Sequence, residues 1–130
     1  MGDPRQGNDT PALARVRILV VEDDLIVQAV LERILQRGGF DVVFSASVDE
    51  ALRCLAADPE IRVTTVDQGL PGTPGLVLVE AIRTLYPRVR VVVISGTELP
   101  ADCAAQPDRF FRKPFQGPEL LAALRELVAS

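Results

Sequence analysis

The segment Val16–Asp24, VRILVVEDD, decides the architecture. A run of β-branched and aliphatic residues too short for a helix ends abruptly in three carboxylates, as a buried strand does where it emerges into solvent. The same layout recurs along the chain. Further β-branched runs occupy Phe40–Phe44, Arg62–Val66 and Val89–Ile94, with a shorter one at Phe110–Arg112. Between them the apolar residues fall at i, i+3, i+4 and i+7, the spacing of a one-faced helix. The stripes are Val27, Val30, Leu31, Ile34, Leu35; then Val48, Ala51, Leu52, Leu55, Ala56; then Leu78, Ala81, Ile82, Leu85; and last Leu120, Ala123, Leu124, Leu127, Val128.

Local punctuation agrees with these assignments. Ser47 and Glu50 have capping-box spacing, so a helix is expected to start at Ser47. Thr73-Pro74 and Gly117-Pro118 would place proline at the first helical position. Gly38-Gly39 ends the first helix, and Pro87 follows the third. Strand Val89–Ile94 is almost continuously apolar, as befits a strand covered by helices on both faces. Five strands alternating with helices predict an α/β fold: a doubly wound five-stranded parallel sheet. The stretch from Ile94 to Phe110 carries Pro100 and Pro107 and leaves room only for a shortened fourth helix near Ala101–Gln106. Residues 1–14 lack any apolar period and read as a flexible N-terminal tail, with residues 15–130 forming one domain.

Composition narrows the function classes. In 130 residues, 14 basic side chains face 18 acidic ones, for a net charge of −4. A dedicated nucleic-acid-binding surface needs clustered Lys and Arg, so direct nucleic-acid partners are not expected. No apolar run approaches the ~20 residues of a membrane span, and the first residues lack a signal-peptide layout. Cys54 and Cys103 are too few for a disulfide framework and read as reduced, inert thiols of a cytoplasmic protein. With no histidine, His-based metal sites and Ser-His-Asp or Cys-His catalysis are excluded.

In an open parallel sheet, function gathers beyond the carboxyl ends of the strands. There the sequence puts Glu22-Asp23-Asp24 after strand one, Asp67 after strand three, Ser95-Gly96-Thr97 after strand four and Lys113-Pro114 after strand five. Lys113 is the only lysine among 13 arginines, which favours a site-bound ammonium over a surface charge. Converging carboxylates repel unless one is protonated or a cation joins them. A hard ion such as Mg²⁺ binds through a few carboxylates while keeping several waters, and Asp67 could then act as a nucleophile and become an acyl phosphate. The plainer readings are a solvated acidic loop with Asp24 capping the first helix, and an Asx-type turn at Asp67.

ILVVEDD (Ile18–Asp24), VDQGLPGTPGL (Val66–Leu76), VVISG (Val92–Gly96) and FRKPF (Phe111–Phe115), in this order, resemble the receiver domain of two-component response regulators. The resemblance covers about residues 16–129, the 44-residue spacing from Asp23 to Asp67 fits it, and it implies the flavodoxin-like strand order 2-1-3-4-5. It implies that Glu22 and Asp23 hold Mg²⁺, with Asp67 as phosphoacceptor and the backbone carbonyl of Gly69 completing the protein ligands. It further implies Ser95 as switch hydroxyl, Lys113 as the phosphoryl-contacting lysine and a cis Lys113-Pro114 bond. Phe110 falls at the family's aromatic switch position, though a buried structural phenylalanine explains it nearly as well.

Three departures stand out. Gly69 offers no side chain beside the phosphoryl group, Phe110 lacks the hydroxyl of the commoner tyrosine, and Ser95 to Lys113 spans only 18 residues. The first predicts slow loss of the phosphoryl group, because nothing at position 69 orients an attacking water; Thr97 would compensate in part.

The function expected is a phosphorylation-dependent switch, not an enzyme beyond slow self-dephosphorylation. Its expected partners are a histidine kinase or phosphotransfer protein and a downstream protein target, with a homodimer possible. No DNA-binding segment follows residue 130, so the chain is expected to act through protein contacts or as one module of something longer. The alternative is a pseudo-receiver, a binding module without phosphotransfer, although all the acidic residues and the lysine are present. A haloacid-dehalogenase-type phosphohydrolase needs Asp-x-Asp after strand one, and a Toprim-type site needs it after strand three. Asp23-Asp24-Leu25 and Asp67-Gln68-Gly69 supply neither.

Overall fold

A computed structural model describes residues 15–70, 72–99 and 105–129. The strands are β1 (Arg17–Val21), β2 (Asp41–Ser45), β3 (Ile61–Asp67), β4 (Arg90–Ser95) and β5 (Arg109–Arg112). The helices are α1 (Leu25–Arg37), α2 (Val48–Ala57), α3 (Gly75–Leu85) and α4 (Gly117–Ala129). All strand pairs are parallel, in the order β2-β1-β3-β4-β5. The chain therefore has the expected doubly wound fold. The expected tail over residues 1–14, Cys103 and most of the short helix near Ala101–Gln106 lie outside the described residues; Ala105 and Gln106 are not helical.

The sheet divides the core in two because alternate side chains of a strand point to opposite faces. On one face Ile18, Val20, Val63, Val92 and Ile94 pack with Leu31 and Leu35 of α1 and with Leu120 and Leu124 of α4. On the other, Leu19, Val21, Val66, Val91 and Val93 pack with Val48, Ala51 and Leu55 of α2 and with Leu78, Val79 and Ile82 of α3. Covered on both sides, Ile18–Val21 and Val91–Ile94 are almost wholly buried.

The caps follow the sequence signals with small shifts. Asp24 accepts from Ile26 N at 2.8 Å and Val27 N at 3.2 Å to start α1. Ser47 Oγ accepts from Glu50 N at 3.1 Å, while Glu50 reaches back to Ala46 N at 2.7 Å, one residue before the cap. Gly38 caps α1 and Gly39 takes φ 88°, a conformation open to glycine. The proline expectations are off by one. Pro74 is the extended residue before α3, because Gly75 must come against β3. Pro118 is the second residue of α4, since the Gln116 carbonyl already accepts from Glu119 N and Leu120 N.

The stripes are corrected at their margins. Val30 and Leu85 are exposed, 52% and 61%, and Ala56 is exposed too. Periodicity marks a face, but the sheet beneath is narrower than that face, so residues at its border are left uncovered.

Candidate functional site

Glu22 follows β1 directly as a buried carboxylate, 3% exposed. Its backbone N–H donates to the Ser45 carbonyl at 2.9 Å, and its own carbonyl accepts from the Gln28 side chain of α1. The Glu22 Oε2 accepts from Asp24 N at 3.1 Å. Gln28 thus fixes the backbone that presents the acid, a role no sequence motif marks, since a polar residue one turn into a helix reads as solvated surface. Asp23, next along, is exposed.

Asp67 closes β3 and is itself buried. Its Oδ1 accepts from Gly69 N at 2.9 Å and lies 3.6 Å from Lys113 Nζ. The Asx-type turn anticipated as the plainer reading is therefore real, and it coexists with the lysine contact. Oxygens of Glu22, Asp23 and Asp67 lie within 4.8 Å of one another. Burial is the main cause, and the Asp67 charge a further one, that pushes the Glu22 carboxyl from 4.5 up to about 7. Two buried acids so close cannot both ionise cheaply without a cation. Such a set of hard oxygen donors fits a divalent ion that keeps part of its hydration shell.

Ser95 ends β4, one residue beyond the Asp67–Ile94 pair, and is 3% exposed. Its Oγ accepts from Thr97 N at 3.0 Å and lies 3.4 Å from Thr97 Oγ1, so the hydroxyl is engaged with its own loop. Its carbonyl accepts from Lys113 N at 2.8 Å, tying the β4 and β5 ends together. The Lys113-Pro114 bond is cis. Phe110 is half-buried and packs on the α2–α3 side of the core.

With this geometry the comparisons with known proteins agree. The family model described as the response regulator receiver domain matches residues 18–125. The chain belongs to the response regulator receiver domain family. It is 34% identical over 116 residues to the transcriptional regulatory protein PrrA of Mycobacterium tuberculosis, covering 86% of this chain and 49% of that protein. To the transcriptional regulatory protein AruR of Pseudomonas aeruginosa it is 29% identical over 122 residues, again 86% and 49%. The chain thus spans about half the length of these relatives. Among solved structures, a CheY-like receiver domain protein from Methanospirillum hungatei superposes with a TM-score of 0.80 at 25% identity, covering 88% of this chain and 95% of that one. A sensor protein from Polaromonas sp. JS666 gives 0.76 at 29% identity, covering 88% and 97%. This receiver domain therefore belongs to the response regulators of two-component systems. No helix among its described residues is long and apolar enough to cross a membrane.

Away from the site, several arginines are paired: Arg90 lies 3.7 Å and Arg83 3.1 Å from Asp108, Arg109 2.7 Å from Glu126 and Arg112 3.4 Å from Glu98. Arg62 and Arg88 have no such pair among the described residues. Asp108 also accepts from Val91 N at 2.8 Å, which locks the entry to β5 against β4. Cys54 is a free thiol, which burial, followed by the Glu50 charge, makes harder to ionise.

Proposed function

We propose that this receiver domain accepts a phosphoryl group on Asp67 with Mg²⁺ bound, and that the modification changes its protein-binding surface. The observation that carries the reading is the meeting, at one sheet edge, of three carboxylates within 4.8 Å and Lys113 Nζ at 3.6 Å from Asp67. Glu22, Asp23 and Asp67 would hold the ion, with the Gly69 carbonyl as a further ligand. When bound, Mg²⁺ would neutralise charge on the phosphoryl oxygens during transfer.

The remaining chemistry belongs to the chain. An Asp67 carboxylate oxygen attacks phosphorus, the O–P bond forms, and the donor's N–P bond breaks. The leaving imidazole of a phosphohistidine donor takes up a proton. Lys113, a compact ammonium just past the end of β5, faces the charge that accumulates. Ser95 Oγ, held among the described residues by loop contacts to Thr97, can exchange them for a phosphoryl oxygen. That exchange shifts the population of the β4 loop and of Phe110, the route from a local charge to a changed surface. A histidine kinase or phosphotransfer protein fits as donor: Leu25 and Ile26, each 76% exposed, give an apolar landing surface immediately after the acidic cluster.

Intact mass after incubation with acetyl phosphate and Mg²⁺, on wild type and Asp67→Asn, tests the reading. A single phosphoryl adduct that needs Mg²⁺ and is absent from the variant is expected. No adduct on folded protein, from either the small donor or a cognate kinase, would leave the pseudo-receiver, a constitutive binding module, in its place.

A further inference from the structure

At the opposite edge of the sheet, where β3 and β4 begin, an open cavity of about 580 Å³ lies between the C-terminal ends of α2 and α3. Its size falls within the ~300–1,000 Å³ range of small-molecule sites. The floor is core: Leu55, Ile61 and Val89 are nearly buried, and Leu85 and Tyr86 form a wall. Leu85 is 61% exposed, an aliphatic side chain left over from the α3 stripe.

The charges around this hollow are one-sided. Asp58 lines it, but Arg17 Nη1 holds the Asp58 carboxylate at 2.8 Å, which compensates its charge. Arg62 and Arg88 line it as well, and neither has a carboxylate within ion-pair distance among the described residues; Arg62 donates only to the Val128 carbonyl, at 3.2 Å. The two arginines and Pro87 also border a second hollow of about 380 Å³, which adds Arg90 and the end of α4. Arg62 and Arg88 therefore stand where an apolar pocket opens into a cationic one. This juxtaposition suits a molecule with an apolar body and an anionic head, because guanidinium groups bind carboxylates by paired hydrogen bonds.

We propose that this cavity binds a small amphipathic carboxylate, its hydrocarbon part against Leu55, Ile61 and Leu85 and its carboxylate between Arg62 and Arg88. The site shares no residue with the acidic cluster, so it stands or falls independently of phosphorylation.

The test uses octanoate as probe, 1-octanol and inorganic phosphate as controls, and the whole chain, followed by calorimetry and by amide chemical shifts. Octanoate is expected to bind saturably at one site, with shifts centred on residues 55–62 and 85–89. The double variant Arg62→Gln/Arg88→Gln, altered at two exposed positions, is expected to lose about tenfold or more in affinity, roughly one bidentate contact's worth. Octanol should bind the wild type about as weakly as octanoate binds that variant. Ala56→Phe, which fills the rim without touching either arginine, should weaken octanoate too. The proposal is overturned by no saturable binding at millimolar probe, by equal affinity in wild type and the double variant, by shifts centred elsewhere, or by phosphate alone binding as well as octanoate.

Discussion

Glu22→Gln separates the two demands placed on the acidic cluster, folding and ion binding. The glutamine keeps an oxygen for Asp24 N and, like a protonated glutamic acid, can donate toward Asp67, so it mimics the uncharged form. In metal-free protein the Glu22 carboxyl sits at about 7 against its usual 4.5. Below about pH 4.5 folded and unfolded chains both carry the proton, and Glu22 costs nothing. As pH rises toward 7 the unfolded chain releases a proton that the folded chain retains, so stability falls, and above 7 the loss is complete. At ~1.36 kcal/mol per pH unit the shift sets an upper limit of roughly 3 kcal/mol. Solvent screening at the open edge of the sheet reduces that limit, so about 2 kcal/mol is the expected size. Urea unfolding in EDTA should then show the variant more stable than wild type by about that amount near pH 8 and equal to it near pH 4.5. Added Mg²⁺ should stabilise wild type near pH 8 and do much less for the variant. A stability difference that does not change with pH, or one that favours wild type at high pH, would refute the reasoning.

Three further outcomes are expected. Gly75→Ala puts a Cβ 2.8 Å from the Asp67 carbonyl oxygen and 2.9 Å from Val66 Cγ1, so it should destabilise by about 1–3 kcal/mol in urea unfolding despite the better helix former. Asp108→Ala removes the acceptor of Val91 N and the partner of Arg83 and Arg90; a loss of ~1–3 kcal/mol is expected, with amide exchange at Val91 speeding up more than at Leu19. Gly69→Asn supplies an amide beside the acceptor and should shorten the phosphoryl lifetime on Asp67, read by the decay of the mass adduct. A wild type that loses the group faster than the variant would contradict the role given to position 69.

What was legible in the sequence is what is encoded by local period and by strand ends. The alternation of VRILVVEDD-type runs with apolar stripes marks a parallel sheet and the buried helix faces, because burial on such a sheet demands those periods, whereas the strand order follows from the family resemblance. The carboxyl ends of β1, β3 and β5 are followed or closed by Glu22, Asp23, Asp67 and Lys113, so a parallel sheet by itself gathers these residues at one edge. The illegible features depend on contacts between distant segments. Gln28 and Asp108 look like ordinary surface residues until the fold sets one against the Glu22 carbonyl and the other against Val91 N. Whether Val30 or Leu85 is covered depends on the width of the surface below it. The cavity beside Tyr86 joins residues from Leu55 to Val89 that share no spacing rule.

The contact of Gly75 with β3 has a mechanical consequence. With no side chain between them, the first turn of α3 rests directly on the peptide that carries Asp67, so the helix behaves as a stiff pushrod seated on the acceptor. Its 11 residues reach about 16 Å, from the acidic edge to the rim of the arginine-lined hollow. Compact, close-packed interiors transmit small displacements instead of absorbing them. A backbone shift at Asp67 therefore cannot leave the first turn of the helix where it is, because no side chain lies between them to absorb it.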